Sequence, residues 1–344
     1  MAGRATRSTS LAVRLGTLSL SHDALLLLAA DALTDLPEGH AEAVIIRHKR
    51  SLLLALSHDE LNVIFDGLAD PLQPVVAVAL SSTCLGLRTP LQAALEVLKE
   101  RHERAKALCS TWRTSFIRSA AHDCTCKKLR DSEELNWNCV RLTERDMATF
   151  GMLFNVHGLP SLRVLYLARC GLSDTGMQAM CESLSFGALP SLRVLQLGSN
   201  QLGPAGAEAL AAALRRGALP NLEVLYLSNN SELGNQGMAM LAAPLCKLPT
   251  LKALHLFNCE IGDEGVASLV ADLGKDDFKA LETLNLDYNF VTNEICAMLV
   301  TAIKAGAFPS LKDLDVHPCP LTEGPSASRA ARESVLAALA ARSQ

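Results

Sequence analysis

His122, Cys124, Cys126 and Cys139 are the residues of this chain whose types most readily suggest chemistry, because imidazole and thiolate are the ligands that zinc prefers. Their spacing argues against a site. Two cysteines separated by one residue do not form the C-x-x-C hairpin of a zinc site, and no second pair follows. Nucleophilic and phosphate chemistry find no support either, since G-x-x-x-x-G-K-[ST], G-x-S-x-G and H-E-x-x-H are all absent from the sequence. Single histidines such as His255 and His317 read as surface polarity rather than general bases. The sequence therefore predicts no catalytic residue, no metal and no cofactor, and places function in a surface.

Composition narrows what that surface can meet. With 49% hydrophobic and 20% charged residues over 344, the chain can bury a substantial core. A formal net charge of -4 offers no long-range attraction to phosphate backbones, and 4% aromatic content leaves few rings on which bases could stack. No nucleic-acid partner is expected. Eleven cysteines, an odd number without framework spacing, point to a reducing compartment, the cytoplasm or nucleus. The apolar run Ala24 to Ala30 is too short to span a bilayer, so no membrane contact is expected. Residues 1–22 carry Arg4, Arg7 and Arg14 with Ser and Thr and no acid, which fits a disordered N-terminus or an organelle transit peptide.

What must position such a surface is a repeat. Segments starting at Leu162, Leu192, Leu222, Leu251, Leu281 and Leu311 superimpose at a spacing of 29 or 30 residues. Each follows L-x-x-L-x-L-x-x-N/C-x-L, as in Leu192, Leu195, Leu197, Asn200 and Leu202. A degenerate first unit aligns Leu135, Trp137, Leu142 and Met147 with Leu165, Leu167, Leu172 and Met177, with Val140 in its ladder position. Leu165 and Leu167 alternate with Val164 and Tyr166, the period of a strand with one buried face. Asn200, Asn230 and Asn289 can donate and accept where the backbone leaves the sheet, interleaved with Cys170, Cys259 and Cys319. Small and apolar runs such as Gly176 to Leu184, Gly206 to Leu214 and Gly265 to Leu273 predict outer helices. Gly187, Gly217 and Gly306, each three residues before a proline, punctuate the return to the next strand. The fourth unit gains a residue after Asn230, putting Leu233 at the core position, and Pro244 predicts a shorter helix there.

The period, the full helix and this consensus resemble the ribonuclease-inhibitor-like class of leucine-rich repeats. The resemblance implies an α/β fold, a right-handed solenoid or horseshoe with a parallel inner sheet and outer helices. Seven units over residues 135–324 are expected, with a helix over 325–344 and a mainly helical region ahead of the repeats.

Ahead of the repeats, residues 1–50 form an N-terminal region, partly disordered, and 51–110 a helical segment. Ser57 and Glu60 make a capping box before Leu61, Ile64, Phe65 and Leu68. Together with Leu56, Asp59, Pro71, Leu80 and Cys84 these residues resemble an F-box, although Ser57 replaces the usual Pro and Leu87 a usual Trp. The resemblance implies docking through Leu61, Ile64, Phe65 and Leu68 on the Skp-type adaptor of a cullin-RING ubiquitin ligase, with the repeats holding substrate. The alternative is a helical cap over the open end of the solenoid. Leu91 to Cys109 predicts one helix with a mixed-charge, solvated face, and periodicity then fades across a linker at 111–134.

Alternation gives the inner face of the sheet: Asn136 and Asn138, Tyr166, Gln196, Tyr226, His255, Phe257, Asn285, Asp287, Asp313 and Asp315. An aromatic stripe in its middle and an acidic last third are expected to receive a protein partner. The repeat class also looks like that of the Ran GTPase-activating protein, which implies a small-GTPase regulator as the alternative function. That family's acidic tail is replaced here by an Ala-rich end with Arg329, Arg332 and Arg342. An innate-immune-type sensor is a third reading, without the nucleotide-binding domain that precedes such repeats.

Overall fold

In a computed structural model of the chain, the described residues are 91–112, 126–155, 159–270, 277–317 and 327–342, with Leu61, Phe65, Ala69, Pro71, Ala77, Val78 and Leu273. His122, Cys124, Ile64, Leu68, Cys319 and residues 1–60 lie outside them. The chain divides into two compact units, Met1–Lys106 and Ala107–Gln344.

In the first unit Leu61 and Phe65 are helical and buried, 4% and 1% exposed. Helix α1 (Gln92–Trp112) carries Lys99, Arg104 and Lys106 in pairs with Glu96, Glu100 and Glu103, the solvated face expected of mixed charges at helical spacing.

The second unit alternates helix and strand: α2 (Cys126–Asp131), β1 (Glu134–Asn136), α3 (Glu144–Asn155), β2 (Val164–Tyr166), α4 (Asp174–Glu182), β3 (Val194–Gln196), α5 (Pro204–Arg215), β4 (Val224–Tyr226), α6 (Gly234–Cys246), β5 (Ala253–His255), α7 (Asp263–Val270), β6 (Thr283–Asn285), α8 (Asn293–Lys304), β7 (Asp313–Asp315) and α9 (Arg329–Arg342). The seven strands form one parallel sheet in sequence order. Register is fixed by the central leucines: Leu135, Leu165, Leu195, Leu225, Leu254, Leu284 and Leu314 are successive partners, all buried. A one-residue slip would turn this row to solvent. Strands lie about 4.8 Å apart whereas packed helices need about 8–10 Å, so the stack curves with the sheet on its inner side.

The ladder holds each turn to the next. Asn200 Oδ1 accepts the N–H groups of Cys170 (2.9 Å) and Leu172 (3.1 Å), and its Nδ2 donates to the carbonyls of Leu167 (2.8 Å) and Leu197 (2.9 Å). Asn289 does the same three repeats on, and Asn230, one repeat on, accepts from the Leu202 N–H and donates to the carbonyls of Leu197 and Leu227. Cys170 and Cys259 offer only sulfur, 3.2 and 3.3 Å from the carbonyls of Trp137 and Leu227. Burial pushes the two thiols up to about 12 and about 11, so they stay neutral and serve as packing. Among the described residues, the residue before each ladder position turns left-handed: Cys139, Arg169, Ser199, Asn229, Asn258 and Tyr288. Polar side chains at the helix starts bind forward as well: Asp174 accepts from the Gly203 N–H (2.7 Å), Asn235 from Gly262 (2.6 Å) and Asp263 from Thr292 (2.9 Å).

One expectation is corrected. The fourth unit's helix is not short: α6 runs for 13 residues with Pro244 inside it. Pro244 stands two residues from the helix end, where the missing N–H removes a single terminal bond rather than breaking the interior. The extra residue before the helix is absorbed by Leu233, which is 0% exposed. Of the residues expected to meet an adaptor, Leu61 and Phe65 are buried, and Ile64 and Leu68 lie outside the described residues.

Candidate functional site: the inner sheet face

Each strand exposes two side chains beside one buried leucine, because alternate residues of a strand point to opposite faces. The helices cover the leucine side. What remains on the other side is the face that alternation predicts. Tyr166, Gln196, Tyr226, His255, Asn285, Asp313 and Asp315 lie in the strands, and Phe257 and Asp287 two residues beyond β5 and β6; none is buried.

In the middle of the face the rings are organised. Tyr226 and His255 occupy paired positions on β4 and β5 and stack with centroids 4.3 Å apart and planes 7° from parallel. Phe257 contacts Tyr288 at 4.7 Å, and Tyr288 and Phe290 are 40% and 43% exposed. Burial pulls the His255 imidazole below its ordinary value of 6.5 while the nearby Asp315 carboxylate opposes the shift, so the ring is neutral at pH 7 and stacks as an aromatic. Toward β1 the face is polar and hollows into a depression of about 320 Å³ bordered by Asn138, Arg169, Gln196, Tyr226 and Ser228.

The far end is acidic. Asp313 and Asp315 flank Leu314 and so stand on the inner face of β7, and Asp287 lies beside them across the strand gap. Asn285 Nδ2 donates to Asp315 Oδ2 (3.1 Å). The Asp287 carboxylate is partly committed to the fold, accepting from the backbone N–H of His317 (2.6 Å), with the His317 Nδ1 at 2.8 Å. Asn138 plays the same part at the other end, accepting from the Ala168 N–H (2.7 Å). Alternation shows which residues are exposed but not these ties to the next repeat. It also passed over Tyr288 and Phe290, which flank the ladder residue Asn289 outside the strand pattern.

The basic residues at the strand entries do not neutralise the acidic end. Arg193 and Lys252 both pair with Glu223, and Lys312 pairs with Glu282. Among the described residues no Lys or Arg pairs with Asp287, Asp313 or Asp315.

Chemistry beyond binding finds little to work with. Among the described residues one group, Asp287, Asp315 and His317, brings three potential cation ligands within 4.8 Å of one another. Of the early thiols, Cys126 is half-buried and Cys139 exposed, and neither joins such a group. The eight described cysteines are free thiols. No helix among the described residues is long and apolar enough to cross a membrane.

Comparison with known proteins agrees with this architecture. A family model described as Leucine Rich repeat matches residues 158–181, 188–211, 218–242 and 247–270. No curated protein matches. Among solved structures, one described as the crystal structure of the Rad7 and Elc1 complex in yeast is similar at 20% identity with a TM-score of 0.37. That likeness covers 54% of this chain and 45% of the other, so this chain spans under half of the protein it matches. With four units matched by that model, and the consensus, the ladder and the parallel sheet in one register, the described repeats build an α/β leucine-rich-repeat solenoid.

Proposed function

We propose that this protein is a non-enzymatic interaction module that holds a protein partner on its inner sheet face, and that it serves as the substrate receptor of a cullin-RING ubiquitin ligase. The ring pairs Tyr226–His255 and Phe257–Tyr288 on the inner face, half-buried apart from the exposed Tyr288, carry the first part. Aromatic side chains on a sheet face left open by the helices are the anchors that interfaces favour. The ligase role rests on chain order, an F-box-like segment at 51–110 followed by repeats. With Leu61 and Phe65 buried, adaptor contact on this reading falls to other side chains of that segment.

The test uses the full chain in cells, with cross-linking and mass spectrometry of captured proteins. Tyr226→Glu with Gln196→Arg on the inner face should abolish partner capture, while Glu208→Gln on α5 should not. Equal capture by both variants would remove the inner-face reading. The ligase role predicts recovery of a Skp-type adaptor by the full chain and its loss on deleting residues 51–110. A full chain that recovers the partner but never the adaptor leaves an interaction module outside ubiquitin ligation.

A further inference from the structure

We propose that the partner segment bound at the C-terminal end of the inner face carries arginine, its guanidinium held by the carboxylates of Asp313 and Asp315 and flanked by the ring wall of His255, Phe257 and Tyr288. This rests on the reading of the inner face as the binding surface and adds the chemistry of its occupant.

Charge is the first argument. Asp313 and Asp315 project from the same face of one three-residue strand, with Asp287 on the neighbouring repeat. Like charges on one face repel, and among the described residues no Lys or Arg pairs with them, while the strand-entry lysines Lys252 and Lys312 pair with Glu223 and Glu282. Asp287 is tied to His317, and Asn285 reaches one oxygen of Asp315. Asp313 is exposed and keeps both oxygens open to a ligand, and Asp315 keeps one. A cation from outside completes the arrangement.

The rings decide which cation. His255 on β5 lies within electrostatic reach of Asp315, and Phe257 and Tyr288, in contact with each other, follow in the turns after β5 and β6, with Tyr288 40% exposed. An ammonium is a compact, strongly hydrated point charge that gains little from an apolar wall. A guanidinium is planar and weakly hydrated, stacks on aromatic surfaces and presents a fork of donors to carboxylates. Neutral His255 adds no competing charge at pH 7. The sheet thus offers an aromatic wall and an acid pair side by side, which matches an arginine better than a lysine.

The probe is a fluorescein-labelled peptide, Gly-Arg-Gly-Arg-Gly-Arg-Gly, titrated into the full chain by fluorescence anisotropy at low and moderate salt. Versions with lysine and with citrulline, the neutral isostere of arginine, serve as comparisons. The arginine peptide should bind at least about tenfold more tightly than the citrulline peptide, and more tightly than the lysine peptide. The double substitution Asp313→Asn with Asp315→Asn should lose about the same factor, with circular dichroism melting unchanged or slightly raised, because the amides relieve the carboxylate repulsion and can still accept from Asn285. Equal binding of arginine and citrulline peptides, or an affinity untouched by the double substitution, overturns the proposal. So does binding that requires a divalent cation and vanishes in EDTA, which would place a metal between the Asp287, Asp315 and His317 ligands. If natural partners are lost with Tyr226→Glu and Gln196→Arg but kept with the double Asp→Asn chain, the inner-face reading stands and this proposal falls. If neither set affects them, both fall.

Discussion

Replacing Asn289 by Ala tests the ladder directly, because the two ladder chemistries occur side by side at Asn289 and Cys259. Asn289 is 1% exposed. Its Oδ1 accepts the N–H groups of Cys259 and Ile261, both at 3.0 Å, and its Nδ2 donates to the carbonyls of Leu256 (2.7 Å) and Leu286 (3.0 Å). Alanine strands two buried donors and two buried acceptors. At a net value of about 1 kcal/mol per bond the loss approaches 4 kcal/mol. Water entering the polar void recovers part, so we expect about 2–4 kcal/mol. Cys259 contributes one weak donor, 3.3 Å from the Leu227 carbonyl, and Cys259→Ala should cost only about 1 kcal/mol. Because repeat arrays need not unfold in one step, the assay is amide hydrogen exchange together with urea denaturation. The amides of Cys259 and Ile261 should lose protection first in Asn289→Ala and retain it in Cys259→Ala. Similar costs for the two substitutions, or loss of protection spread evenly over the array, would refute the assignment of asparagine as the joint between repeats.

Leu225→Ala, at a fully buried strand position, should destabilise by about 2–5 kcal/mol in chemical denaturation, while Gln196→Ala on the opposite face should stay within about 0.5 kcal/mol. Gly151→Ala should destabilise despite the usual helix preference for alanine, because a Cβ there would lie 2.4 Å from the Met180 carbonyl oxygen. Gly176→Ala, whose Cβ would meet Met147 at an ordinary 3.5 Å, should be neutral or stabilising by up to about 1 kcal/mol, and the two melts should move in opposite directions. His255 predicts a pH effect. Its native pKa lies below the unfolded value near 6.5, so the unfolded chain binds more protons in that window. The stability it contributes is present above about pH 6.5 and falls as pH drops through the native pKa. His255→Gln should flatten that part of the stability profile, and an unchanged slope would show that the ring is not desolvated.

The repeat was legible because every unit states the same requirement. Leu165, Leu195 and Leu225 had to share a face whatever surrounded them, and the register follows. What sequence periodicity missed lies where one residue acts across two repeats. Asp287 reads as a surface acid, yet its carboxylate accepts the His317 N–H 30 residues on. Asp174 and Asp263 open helices α4 and α7, yet their carboxylates hold the backbone of the following unit. Pro244 was misjudged because a helix-breaking residue was weighed without its distance from the helix end. Tyr288 escaped because it precedes a ladder residue and sits in a left-handed turn rather than in a strand.

The scaffold also explains why the binding chemistry should be sought in the third strand position and just beyond it. The central strand residue is leucine in all seven strands, and the helices bury it. From β2 onward the first position runs Val164, Val194, Val224, Ala253, Thr283, Asp313, from β-branched and apolar to charged, while β1 begins with Glu134. The third runs Tyr166, Gln196, Tyr226, His255, Asn285, Asp315. Folding demands no such gradient, since valine suits a strand as well at the last repeat as at the second. Two aspartates flanking one leucine in a three-residue strand work against local strand preference and add repulsion that no Lys or Arg among the described residues offsets. A position where local preference is overridden without structural compensation is where function is expected to reside. On this face that position is β7, and the rings of β4 to β6 lead toward it.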